Sequence, residues 1–165
     1  MLGRMLVHGE RSGRIIETEA YVGLDDRASH ARVGRKGRAE VMYGKAGIAY
    51  VYFVYGMHYC FNAVTETEGH PGAVLVRAID GAAGPALVCR ALGIDKACNG
   101  LDLTASALHL DFGTPVEDDQ VRVGPRVGVA YAGEWAGKPW RFWIHGAAIS
   151  GRRVTGEPFN SSVLG

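Results

Sequence analysis

This sequence offers little for a membrane, a disulfide framework or a metal to use. Its three cysteines, Cys60, Cys89 and Cys98, are odd in number, widely spaced and without a CxxC pair. That pattern excludes a disulfide framework and a structural zinc site, and it suits a reducing compartment. No run approaches the roughly 18 apolar residues needed to span a bilayer. The opening MLGRMLVHGERSGR lacks the apolar core and small-residue cleavage site of a secretory signal. The expectation is an intracellular protein without a membrane partner. Chemical signatures are also missing: there is no GxSxG elbow, P-loop or HExxH. His8-Gly9-Glu10 matches H-x-E, but the P-C-x-x-C that must accompany it in a zinc deaminase is absent. The lysines Lys36, Lys45, Lys96 and Lys138 have no apolar setting that would activate an amine.

An excess of one charge sign is lacking too, since the formal net charge is only +1. Anion binding therefore needs a local cluster of cations rather than a basic total. One exists: between Arg27 and Lys45 stand Arg27, Arg32, Arg35, Lys36, Arg38 and Lys45 against the single acid Glu40. Taken alone this is either a solvated polar loop or a phosphate-binding stretch.

The 165 residues, 47% of them hydrophobic, suffice for one domain, 1–165, with a core of its own. From Arg14 to Gly23 the chain alternates, with Ile16, Thr18, Ala20 and Val22 on one side and Glu17, Glu19 and Tyr21 on the other, the period of a strand. Gly34, Gly37, Gly44 and Gly47 predict a long surface loop without regular structure. IAYVYFVYGMHYCFNAV reads as two strands around a tight turn, with Tyr55, Gly56, Met57 and His58 at the tip. GAVLVRAI, residues 72–79, is a further strand, apolar apart from Arg77. Gly84 and Pro85 open a short amphipathic helix over LVCRALGIDKA. Residues 104–110 are predicted as a second helical piece, and VRVGPRVGVAYAG and WRFWIHG as strand-like runs. No repeat or linker interrupts this single mixed α+β unit.

Two constellations carry chemistry. Glu17 and Glu19 share a strand face about 6 to 7 Å apart. They are either exposed residues pairing with arginines or a cleft-lining pair whose pKa values diverge so that one acts as a base. Tyr21, Tyr50, Tyr52, Tyr55 and Tyr59 gather near that face and beside the basic stretch. Rings next to cations suit unpaired bases, with stacking worth about 1 to 3 kcal/mol per base. Tyr50 and Tyr59 are also candidates for plain sheet packing. Tyr55, at an exposed tip, suits a wedge that fills the gap left by an extruded nucleotide.

The runs GRIIETEAYVG, ASHARVGR, AYVYFVYGMHYCFN, VLVRAI, GPALVCRALGI and PRVGVAYAGEW, in this order, closely resemble the alkyladenine (3-methylpurine) DNA glycosylase family over nearly the whole chain. The resemblance implies a single mixed domain with a curved antiparallel β-sheet, a protruding β-hairpin and flanking short helices. It implies that Glu19 is the general base for the water attacking C1′ of a flipped nucleotide, with Arg77 beside that water and the carbonyl of Val127 as a further contact. Tyr21, His30 and Tyr52 become the walls between which the purine stacks, and backbone groups around Ala28 and His30 read its edge. Asn62 penalises the 2-amino group of guanine. Tyr55 intercalates, Met57 and His58 line the minor-groove side of the hairpin, and Arg35 holds a phosphate.

The resulting expectation is a monofunctional, monomeric enzyme that needs no metal or other cofactor. It acts on damaged double-stranded DNA and hydrolyses the glycosidic bond of 3-methyladenine, 7-methylguanine, hypoxanthine or ethenoadenine. The chief alternative is a catalytically idle nucleic-acid-binding module of the same fold, against which Glu19 and Arg77 together argue; a third is a structural or partner-binding β-rich domain in which the Arg/Gly loop is merely exposed. Two departures from the family pattern are visible. The chain starts at LGRMLV, where relatives have a preceding helical segment, which predicts incomplete packing behind the first strand. Lys36-Gly37-Arg38-Ala39 and Ala83 replace frequent residues of the family without touching the proposed water site.

Overall fold

Runs of β-branched and aromatic residues dominate the middle of the chain, and they become strands wherever glycine or a polar turn interrupts them. A computed structural model describes residues 1–149 and 156–160, so the expected domain 1–165 includes residues outside this description. In chain order the strands are β1 (Met5–His8), β2 (Arg11–Val22), β3 (Ala49–Val54), β4 (His58–Val64), β5 (Gly72–Ile79) and β6 (Ala82–Ala83). After helix α1 (Pro85–Leu92) come β7 (Leu108–Asp111), β8 (Val121–Gly124), β9 (Arg141–Ile144) and β10 (Glu157–Pro158). They form an antiparallel sheet in the order β10-β8-β9-β2-β5-β4-β3, with β1 pairing β2 and β7, and β6 pairing β5. The architecture is the expected α+β domain.

Strand alternation divides the sheet into two chemically different faces. Val51, Phe61, Ala63 and Val76 join Val88, Cys89 and Leu92 of α1 in the main core. Pro85 stands at the first turn of α1 and Gly93 ends it with φ 67°, the left-handed conformation in which glycine stops a helix. The predicted helix therefore closes after Leu92, before the end of the run assigned to it. On the other face, Tyr50, Val64 and Ala73 form a second cluster with Ala31, Met42 and Tyr43.

That second cluster corrects the reading of the glycine-rich stretch as an irregular surface loop. Two 3₁₀ segments, His30–Val33 and Gly37–Tyr43, fit between its glycines. The Ser29 hydroxyl accepts from the Ala31 N–H at the start of the first, satisfying a donor that the helix end leaves unpaired. Their Ala31, Ala39, Met42 and Tyr43 side chains are buried, so the segments cover the sheet while their cations face outward.

The second helical piece expected over residues 104–110 does not form. The Asp102 carboxylate accepts from both the Thr104 N–H at 2.8 Å and the Thr104 hydroxyl at 2.6 Å, a local turn that competes with a helix. Leu108 to Asp111 then pairs with β1 as a strand. The run VRVGPRVGVAYAG also divides, into β8 and a 3₁₀ stretch over Ala130–Gly137. Among the described residues no helix is long and apolar enough to cross a membrane.

Candidate active site

Register across the sheet assembles the site from segments far apart in the chain. Arg141 on β9 faces Glu19 on β2, Glu19 faces Leu75 on β5, Leu75 faces Asn62 on β4, and Asn62 faces Tyr50 on β3. Two residues along the strands, on the same side of the sheet, Tyr21 faces Ala73 and Tyr52 faces Cys60. This face lines a cavity of about 340 Å³, whose wall includes Tyr21, Ala28, His30, Tyr52, Tyr55, Asn62, Arg77 and Val127. The volume lies in the range of small-ligand sites. The same cavity is also bordered by Tyr50, Cys60 and Tyr131.

Glu19 is fully buried and does not itself line the cavity. Oε1 accepts from the Val127 N–H at 2.7 Å and lies 3.2 Å from Arg77 Nη1, while Oε2 accepts from the Tyr21 hydroxyl at 2.8 Å. All three partners line the cavity. Val127 touches the carboxylate through its backbone N–H. Burial and the neighbouring Glu19 carboxylate push the Tyr21 phenol well above its ordinary pKa, so it stays a hydrogen-bond donor at neutral pH.

Glu17 is not the exposed strand residue that one reading of the pair allowed. It too is fully buried. Its Oε1 accepts from Arg77 Nε at 3.1 Å and from Arg141 Nε at 2.6 Å. Two carboxylates and two guanidiniums thus balance in a line, with Arg77 shared between them. Such compensation is what makes burial of four charges tolerable. The lone charge in the apolar run of β5 has its reason here.

The rings form a packed group. His30 meets Tyr52 edge to face with centroids 4.7 Å apart, and Tyr52 lies 5.2 Å from Tyr50. Tyr50 is more than sheet packing, because its hydroxyl is 2.8 Å from His30 Nδ1. Tyr59, by contrast, pairs with Phe53 at 4.9 Å on the sheet face opposite Tyr52. Burial, with Arg38 and Arg32 nearby, pushes the His30 imidazole down to about 4. It is therefore neutral at physiological pH. The Asn62 amide nitrogen donates to the Tyr50 carbonyl at 3.0 Å, which fixes the orientation of its side chain against the cavity.

At the rim of the cavity, which Tyr55 helps to line, the hairpin tip is open to solvent, with Tyr55 87% and Met57 68% exposed. Tyr55 has φ 53°, the only positive value at a non-glycine among the described residues, and Gly56 follows at 67°. Positive φ at both central positions is the requirement of a tight primed hairpin turn. His58 begins β4 at its base. Arg35 lies away from the cavity on the surface, 3.9 Å from Glu40. Among the described residues no group of three or more His, Cys, Asp or Glu side chains is placed to hold a metal ion.

Sequence reasoning missed a second buried ion pair. Arg126 donates to Asp26 through Nη1 at 2.6 Å and Nη2 at 2.8 Å. Its guanidinium lies 4.8 Å from the centroid of Tyr21 and 4.9 Å from that of Trp140. Asp26 also accepts from the N–H groups of Val22 and Ala28. The pair thereby ties the segment carrying Ala28 and His30 to the segment carrying Val127. The only signal in the sequence was an arginine inside the run PRVGV.

Glu19, Arg77, the ring group and the hairpin tip thus gather at one cavity of the sheet. The chain belongs to the methylpurine-DNA glycosylase family, whose model matches residues 1–82 and 80–148. Several relatives bear the name "Putative 3-methyladenine DNA glycosylase". The chain is 49% identical over 157 residues to that of Myxococcus xanthus, covering 87% of this chain and 81% of that protein. It is 49% identical over 160 residues to that of Anaeromyxobacter dehalogenans strain 2CP-C, with 90% and 77% covered. Against that of Methanocella arvoryzae the identity is 41% over 182 residues, with 95% and 90% covered.

Proposed function

We propose that this protein excises alkylated or deaminated purines, of the 3-methyladenine, 7-methylguanine, hypoxanthine and ethenoadenine class, from duplex DNA by flipping the nucleotide and hydrolysing its glycosidic bond. The observation that carries the proposal is Glu19: buried, held from three sides, and bordered by the cavity through each of its partners. Fixed hydrogen bonds hold the carboxylate in one orientation, as a general base must be held. In this reading Glu19 takes a proton from a water that attacks C1′ of an oxocarbenium-like sugar, and Arg77 orients that water.

Tyr21, His30 and Tyr52 stack against the extruded base, which gives grip on any purine and little choice between them. Asn62 adds the choice by crowding a 2-amino group. Tyr55 enters the duplex where the nucleotide has left, offsetting an unstacking cost of a few kcal/mol. Met57 and His58 follow it along the minor groove, and Arg35 meets a phosphate.

The decisive experiment incubates the protein, without added metal, with duplexes carrying one hypoxanthine, ethenoadenine or methylated purine, and then applies alkali. Strand breaks at the lesion are the expected result. Duplexes that are bound and remain alkali-stable would identify an idle binding module instead.

A further inference from the structure

A neutral purine is a poor leaving group unless a proton reaches it as the bond to the sugar breaks, whereas an alkylated purine already carries the positive charge. A residue that accepts a proton from water cannot also supply one to the base in the same step. If Glu19 is the base, the neutral substrates need a second group at the cavity.

Most proton carriers bordering the cavity are already engaged. The Tyr21 hydroxyl donates to Glu19, the Tyr50 hydroxyl is bonded to His30, and that of Tyr52 to Cys60. His30 holds no surplus proton at neutral pH. Arg77 is bonded to Glu17 and Glu19 and is no source of a proton.

Tyr131 differs. It lies in the 3₁₀ stretch Ala130–Gly137, four residues beyond Val127, whose N–H fixes Glu19. It borders the cavity together with Ala28, and its hydroxyl donates to the Ala28 carbonyl at 3.2 Å. That distance is long for an O–H···O bond, which is commonly 2.7 to 2.8 Å, so the donor is weakly held and can be turned to a better acceptor. The Arg32 guanidinium, 5.9 Å from the ring centroid, holds the ring at the rim by a cation–π contact. Tyr131 is 65% exposed, which lets solvent restore its proton after each turnover.

We infer that Tyr131 is the proton donor to neutral purines in this cavity, an assignment that rests on the glycosylase reading above. Its hydroxyl proton passes to a ring nitrogen on the base edge facing Ala28 while the electron pair of the glycosidic bond moves onto the base. Water adds to C1′ and gives its proton to Glu19. The phenolate regains a proton from solvent, Glu19 releases one to solvent, and the net reaction is hydrolysis. Cationic 7-methylguanine leaves without this help, so Tyr131 sets which substrates are cleaved rather than whether cleavage occurs.

The test compares single-turnover base release by wild type and Tyr131→Phe on duplexes carrying hypoxanthine or 7-methylguanine, with thermal melting to verify folding. A loss on the order of 10²-fold on hypoxanthine is expected, the lower end of the contribution of an acid catalyst, with release of 7-methylguanine changed by less than about twofold. Equal effects on the two substrates, whether none or a shared loss, would overturn the inference and leave the glycosylase reading intact. So would a wild-type protein that releases 7-methylguanine and leaves hypoxanthine in place. A wild type that releases neither base overturns the glycosylase reading itself and this inference with it.

Discussion

Asp26 and Arg126 face each other through two parallel hydrogen bonds of 2.6 and 2.8 Å across 100 residues of chain. Neither side chain reaches solvent. The guanidinium also backs the ring of Tyr21, which in turn donates to Glu19. The pair is thus a support for the cavity wall as well as a link between two loops. Removing one member of a buried pair costs about 3 to 5 kcal/mol, because the other charge is left without compensation. Asp26→Ala should therefore lower Tm by about 10 °C, since each kcal/mol is worth about 2 to 4 °C at this chain length. The double variant Asp26→Leu with Arg126→Met, which removes both charges, should recover part of that loss. Melting curves in which the double variant is no more stable than Asp26→Ala would assign the damage to lost packing and not to the stranded charge.

Glu17 and Glu19 are two residues apart and equally buried, yet their substitutions should fail differently. Glu17 meets two guanidiniums, so Glu17→Gln should destabilise the fold by about 3 kcal/mol as a broken buried network. Glu19→Gln retains the shape of the side chain and most of its hydrogen bonds. It should still retain lesion DNA while base release falls by about 10²- to 10⁴-fold, the contribution of a positioned base. Urea titrations and single-turnover assays on both variants separate the two roles. Ordinary release by Glu19→Gln would remove Glu19 from the chemistry.

The strands were legible because their apolar and aromatic residues alternate in short runs bounded by glycine, and the hairpin tip because Tyr55-Gly56 interrupts one such run. The row from Arg141 through Glu19, Leu75 and Asn62 to Tyr50 was not legible, since register between distant strands depends on pairings that local patterns do not encode. Residues 104–110 carried enough alanine and leucine to suggest a helix, and the Asp102 side chain overrode that propensity. The two 3₁₀ segments were hidden because their apolar positions are too few to show a period. Resemblance to the family pointed to Glu19 and Arg77, but the network around them, in which Arg141 bonds Glu17 and the Asp26–Arg126 pair backs Tyr21, emerged only from the packing.

His30 gives the fold a pH dependence whose sign can be worked out. Its imidazole titrates near 4 in the folded chain, displaced downward by burial and by Arg38 and Arg32, against about 6.5 in an unfolded one. Between those values the unfolded chain binds more protons, so stability rises with pH through the window and falls as acid is added. Above about 6.5 the residue is neutral in both states and contributes no slope. His30→Gln should flatten the dependence of Tm on pH between 4 and 6.5 relative to wild type. Identical slopes for the two proteins would mean that His30 is not held neutral by its surroundings.

Tyr55 separates stability from function in the opposite way to Asp26. A side chain that is 87% exposed and sits at φ 53° contributes little packing to the fold and imposes backbone strain on it, and strain of this kind costs about 1 to 3 kcal/mol where it persists. Tyr55→Gly relieves that strain, offset in part by the greater freedom of glycine in the unfolded chain. Tm should therefore stay level or rise slightly. If Tyr55 has the proposed wedge role, the same substitution removes it, so a fluorescent base beside the lesion should report a flipped state that decays faster, with chemistry from that state unchanged. A variant that is clearly less stable, or that retains the flipped nucleotide as well as wild type does, would show that the strained tyrosine is not kept for the duplex.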